Sequence, residues 1–211
     1  MGTSIRGFVE CRTWGPGLDI GETAWYPAIE LSMLGMTRDY SAFACLFGVR
    51  NLPGHWRPVA ADRGLPTDVS ETVRAEHASW GDAAFGATWL GWDEVLTIDW
   101  AEPAIPRATD IARYRRRPDG TLELVHREDW SRGFARASGV DTQTLDPDRI
   151  SELWEEGTEW EVGTTLYRVE RARRRDAVPA DGPWQPVWTV MRALADIHGA
   201  PGVRLVVWFD E

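Results

Sequence analysis

The chain of 211 residues carries 33 acidic against 23 basic side chains, a formal net charge of −10, and every basic residue is Arg. This balance argues against a general nucleic-acid binder, because phosphate affinity needs a net positive potential. With 43% hydrophobic and 27% charged residues, the composition is ordinary for a globular chain and sufficient for one domain with a sizeable core.

The absence of lysine has a plain explanation in a GC-rich genome that favours Arg codons. It also removes Schiff-base, Walker-type and lysine general-base chemistry. Any phosphate or carboxylate would be gripped by Arg, through its planar fork. Thirteen Trp are spread along the chain, which favours core and rim packing over a dedicated aromatic site, with some indoles at the wet edge of the core. Cys11 and Cys45 stand in no CxxC or Cys/His cluster and read as small buried apolar residues. No apolar run approaches about 18 residues, and the N-terminus lacks a signal-peptide core, so a cytoplasmic location is the expectation.

In chain order, SIRGFVECR and AWYPAIELSM predict a β-hairpin over residues 4–33, with Pro27 at an edge or bulge. Asp39 caps an apolar helix whose Tyr40, Phe43, Ala44 and Phe47 share one face and which Gly48 ends. Residues 49–67 form a long Pro- and Gly-bearing connection, a length more often functional than merely connecting. Asp68 and Glu71 have capping-box spacing for a helix running to Trp80. ATWLGWDEVLTIDW suggests a short strand feeding a short helix. Two strands around Pro118, Asp119 and Gly120 predict a second hairpin.

The stretch from Asp141 to Glu161 is acidic, and DPDRISELWEEG within it reads as a helix capped near Asp146. From WEVGTTLYRVERARRRDAV we expect a short strand to Gly163 and then a helix from Thr164. Trp188 to His198 predicts an amphipathic helix ended by Gly199, and VRLVVWFDE a buried terminal strand. The order is not a regular β–α alternation. The expected class is therefore α+β, with a mainly antiparallel sheet that includes the N-terminal hairpin and the C-terminal strand, and helices packed against it. We read 1–211 as a single globular domain, with 101–180 as a variable insertion.

RDYSAFACLFGVRN, RGLPTDVS, TWLGWDEVLTIDW and VRLVVWFDE resemble the blocks of a family of uncharacterised proteins common in tailed bacteriophages and prophage-like regions of bacterial genomes. The resemblance covers about residues 5–100 and 184–211. A His-containing stretch that usually precedes the S-W-L-T block of the family is replaced here by WGDAAFGAT. The resemblance implies a mobile-element or phage–host role and names no mechanism.

Candidate site residues cluster at the joints of the long loop. Arg38, Arg50 and Arg63, with Asn51 and Trp56, could converge on one anionic group. Alternatively Arg38 and Arg63 pair with Asp39, Asp62 or Asp68 and pin the loop, and this structural reading is preferred. The four histidines (His55, His77, His126 and His198) stand at no metal spacing, so no metal site and no cofactor are expected. The basic runs RYRRR (113–117) and RARRR (171–175) form a phosphate-binding patch or pair with the acids of 141–161, and self-pairing is preferred.

The leading functional reading is a non-enzymatic, phage-associated binding or interaction protein. Its Arg-bearing loop would engage an anionic small molecule or a partner protein, with neither nucleic acid nor membrane as a general partner. A hydrolase or transferase on a phosphorylated or nucleotide-like substrate, with His55 or Asp68 as base, is the alternative. A third reading is a protein that sequesters an aromatic compound, which predicts several Trp lining one cavity.

Overall fold

A computed structural model describes residues 2–36, 38–51, 55–105, 109–128, 131–140 and 153–211. The fold is α+β with two four-stranded antiparallel sheets. The chain divides into two compact units, one of residues 1–52, 56–100 and 177–211, the other of residues 53–55 and 101–176.

The first unit is built on β1 (Ser4–Thr13), β2 (Ala24–Glu30), β3 (Phe85–Gly91) and β8 (Val203–Asp210), in the order β2-β1-β8-β3. The expected N-terminal hairpin forms, and the terminal strand lies centrally between β1 and β3. A central strand is covered on both faces, so a near-continuous apolar run such as VRLVVWFD suits it. All its residues but Asp210 are buried.

Period-two alternation divides the sheet's contacts. On one face Val206 and Trp208 pack with Val69 and Val73, the latter on α2 (Glu71–Ser79). On the other, Phe209 meets Phe43 and Phe47 at ring centroids of 5.1 and 5.9 Å. Both rings come from the π-helical turn Phe43–Phe47, which continues α1 (Tyr40–Ala42). The Asp39 side chain accepts from Ala42 N–H, and Gly48 ends the segment at φ 75°, as the spacing predicts. Gly7 lets β1 approach β8 closely, since a Cβ there would stand 2.1 Å from the Val206 carbonyl oxygen.

Short α3 (Trp92–Val95) follows β3 directly. The C-terminal helix starts at Gln185, three residues earlier than the sequence suggests, because Pro186 is accommodated in its first turn.

The second unit is a sheet of β4 (Thr109–Arg116), β5 (Leu122–Glu128), β6 (Glu159–Val162) and β7 (Thr165–Arg171), in the order β5-β4-β7-β6. The turn of the predicted hairpin is closed by Gly120 N–H donating to Arg117 C=O at 2.9 Å. Its core joins Ile111, Tyr167 and Val169 to Phe134 of α4 (Arg132–Ser138), with Trp154 and Trp160 packed edge to face at 5.1 Å.

The helix expected from Thr164 is instead strand β7, paired with β4 and β6. Gly163 adopts φ 61° in the turn, and β-branched and aromatic residues follow it. A short helix α5 (Arg174–Ala177) begins only after the strand, and α6 (Gln185–His198) is the C-terminal helix. The expected cap near Asp146 and most of the acidic helix lie outside the described residues.

The indoles only partly follow the expectation of a wet edge. Trp184 and Trp208 are fully buried, and their N–H groups have no acceptor among the described residues. Among the described residues no helix is long and apolar enough to cross a membrane.

Candidate functional site

At the end of the first sheet where β8 begins, a cleft of about 430 Å³ opens. Trp25 of β2, Trp89 at the end of β3, Arg63, Asp68, Asp93 and Arg204 supply its chemistry. Strand register explains the gathering. Arg204 lies opposite Glu10 on β1 and Gly91 on β3, and Trp25 lies opposite Arg12 on β1.

Arg204 organises the cleft. Its Nε donates to Glu10 Oε2 at 2.8 Å, its Nη1 to Asp68 Oδ1 at 2.7 Å and its Nη2 to the Asp68 carbonyl at 3.2 Å. The guanidinium carbon stands 3.9 Å from the centre of the Trp25 ring, within cation–π range. Trp25 Nε1 in turn donates to Asp68 Oδ2 at 2.8 Å. Glu10 is completely buried, and its Oε1 accepts from Ser70 N–H at 3.0 Å, so each carboxylate oxygen is engaged.

This network corrects the expected cap of α2. Asp68 is committed to Arg204 and Trp25, and Ser70 caps the helix by accepting from Val73 N–H. Partial burial alone would raise the Asp68 carboxyl. Hydrogen bonds from Arg204 and Trp25, with the Arg204 charge, outweigh it and hold the group below the usual carboxylate value. Its side chain remains 60% exposed.

Arg63 closes the other side. Its fork meets Glu94 through two bonds of 2.8 Å, and it also donates to the carbonyls of Trp89 and Val59. Glu94 additionally accepts from Gly91 N–H at 2.9 Å. Burial would raise the Glu94 carboxyl, but Arg63 and that N–H bring it down. Arg63 pins the loop through Glu94, and among the described residues neither it nor Arg38 pairs with Asp39, Asp62 or Asp68, the partners the sequence suggests.

The remaining predicted residues stand elsewhere. Arg38 donates to Ser4 Oγ at 3.4 Å, and Arg50 to Thr3 Oγ1 at 2.7 Å and to Glu211. Both therefore sit at the far end of β8 from Arg204, about 20 Å away along the strand, and the three arginines are not brought together. Asn51 clamps Trp56, donating to its carbonyl at 2.8 Å and accepting from its N–H at 3.1 Å, and Trp56 is buried. His55 belongs to the second unit, where its carbonyl accepts from Ile105 N–H at 2.8 Å. Among the described residues no group of three or more His, Cys, Asp or Glu could hold a metal ion.

Sequence reasoning picked out Arg63 and Asp68 of this cleft and passed over Glu10, Trp25, Glu94 and Arg204. A signal for the buried pair was present in β8, where Arg204 interrupts the apolar run from Val203 to Phe209; Glu10 stood out less, because β1 also carries Arg6 and Arg12.

The basic runs are met in part within the second unit. Arg116 and Arg173 pair with Glu161 and Glu156 of the acidic stretch, while Arg117 and Arg174 pair with Glu123 and Glu102 outside it. Comparable partners for Arg113, Arg115, Arg171 and Arg175 are absent among the described residues. Comparisons with protein-family models, with curated proteins and with solved structures return no match.

Proposed function

We propose that the chain is a non-catalytic binding protein whose cleft takes a cationic group carried on an apolar segment of a partner protein. The observation that carries this reading is Asp68. Its carboxylate stays exposed in a cleft walled by Trp25 and Trp89, while Arg204 and Arg63 spend their donors on groups of this chain. The guanidinium forks that an anionic ligand would need at this loop are filled. What the cleft offers is indole surface, the exposed edge of the Asp68 carboxylate beside its Arg204 and Trp25 bonds, and the charge of Asp93.

A carboxyl held below its usual value is a weak base, which speaks against Asp68 as a general base and for a binding role. The net charge of −10 favours approach of a basic partner. The resemblance of its sequence blocks to those of phage and prophage proteins would place it in a mobile-element setting.

Calorimetric titration with acetyl-Arg-Leu-Arg-amide, against acetyl-Glu-Leu-Glu-amide, tests the reading. The basic peptide binds saturably, and Asp68→Asn weakens it about tenfold. No saturable binding, or equal affinity for both peptides, overturns it.

A further inference from the structure

The second unit holds a cleft of about 450 Å³ whose charge runs against that of the whole chain. Five arginines line it (Arg127, Arg168, Arg171, Arg173 and Arg175) against three carboxylates. The carboxylates are already engaged. Glu170 accepts from Tyr114 O–H at 2.7 Å, from Arg168 at 3.1 Å and from Arg127 at 3.0 Å. Glu156 accepts from Arg173 at 3.1 Å, and Asp176 from the Arg173 N–H at 2.7 Å.

Donors are left over. Arg127 uses Nη2 on Glu170 and Asp176, while its buried Nε and Nη1 have no acceptor among the described residues. Buried donors of this kind are ordinarily satisfied, so a group left this way calls for an acceptor. The side chains of Arg171 and Arg175 have no acidic partner among the described residues of the same cleft, Arg171 giving Glu156 only its backbone N–H, at 3.3 Å. Arg171 and Arg175 line this concavity, and Arg127 contributes buried donors without an acceptor among the described residues beside it. This local excess of guanidinium suits a tetrahedral oxyanion, which offers acceptor oxygens in several directions.

The geometry points to a second binding site in this unit, formed by Arg127, Arg171 and Arg175, for the phosphoryl group of a small soluble molecule. A small ligand is favoured over a polyanion because the chain's net charge of −10 repels extended nucleic acid, whereas one phosphoryl group senses chiefly the local excess of arginine. The site is independent of the cleft at Asp68.

Titration of the full chain with inorganic pyrophosphate is the test. Saturable one-to-one binding is expected. The double variant Arg171→Ala/Arg175→Ala breaks no ion pair among the described residues and so spares the fold. It weakens binding at least about tenfold, while Asp68→Asn leaves binding unchanged. Arg127→Gln also weakens it, and a circular dichroism melt separates that loss from unfolding. Absence of saturable binding, or wild-type affinity in the double variant, overturns the assignment. So does a single-stranded oligonucleotide that displaces pyrophosphate at lower concentration than pyrophosphate itself requires.

Discussion

Glu10 and Arg204 face each other across β1 and β8, Oε2 to Nε at 2.8 Å, with the glutamate fully buried and the arginine side chain 5% exposed. Such a pair recovers its desolvation cost only when the remaining donors and acceptors are also met. Here Ser70 N–H, Asp68 and the Trp25 ring complete it. Glu10→Ala leaves Arg204 without a buried counter-charge and is expected to lower stability by about 3–5 kcal/mol. Glu10→Gln, which keeps an acceptor for Ser70, costs less. Urea midpoints at constant slope measure both, and equal midpoints for Glu10→Ala and wild type would refute a structural role for the pair.

Asp68 links that buried pair to the open cleft, so its ionisation is felt in stability. Its folded carboxyl lies below its ordinary value. The stabilisation is therefore present above the unfolded value and is lost as pH falls through the folded one. Asp68→Asn removes this dependence, and the gap between wild type and variant is expected to narrow on acidification below about pH 4. Melting temperatures across that range report it. A gap that widens on acidification would contradict the geometry.

Local signals in the sequence were sufficient for elements that close on themselves. The Asp39 cap, the Phe43 and Phe47 face and the Gly48 stop lie within one short segment, and each forms. β7 shows where local signals conflict. Alternating Arg and Glu after Leu166 reads as a solvated helix, yet Leu166, Tyr167 and Val169 are buried against β4 partners far away in the chain. Long-range pairing hid most of the site for the same reason. Arg204 and Glu10 are 194 positions apart, and no spacing rule connects them until the strand order is known.

His77 sits on α2 with its ring 5.3 Å from Trp208, edge to face at 86°. Burial lowers its pKa, because the protonated ring would lose hydration beside an apolar indole. The neutral form is thus favoured in the fold. Stability is full above the ordinary value near 6.5 and is lost as pH falls from there through the lowered folded value. His77→Phe, which keeps a ring at this position, is expected to flatten the stability profile between neutrality and about pH 5. Urea midpoints over that interval decide the matter, and an unchanged slope would remove His77 as its source.

Arg63 makes four bonds that tie residues 59–63 to β3 and α3, two of them to Glu94 and two to the backbone carbonyls of Val59 and Trp89. Lysine carries the same charge but cannot present two parallel donors to a carboxylate while reaching two carbonyls. Arg63→Lys is therefore expected to cost about 1–3 kcal/mol, with its side chain and that of Glu94 each partly exposed. The loss should be local. Faster hydrogen exchange is expected in residues 59–69, with protection of Leu205 and Val207 in the central strand retained. Because the ring of Trp89 lies 5.0 Å from the guanidinium, the same variant loosens one wall of the cleft and weakens the basic peptide more than it weakens pyrophosphate. Equal losses for the two ligands would mean that the substitution acts through global unfolding instead of through this wall.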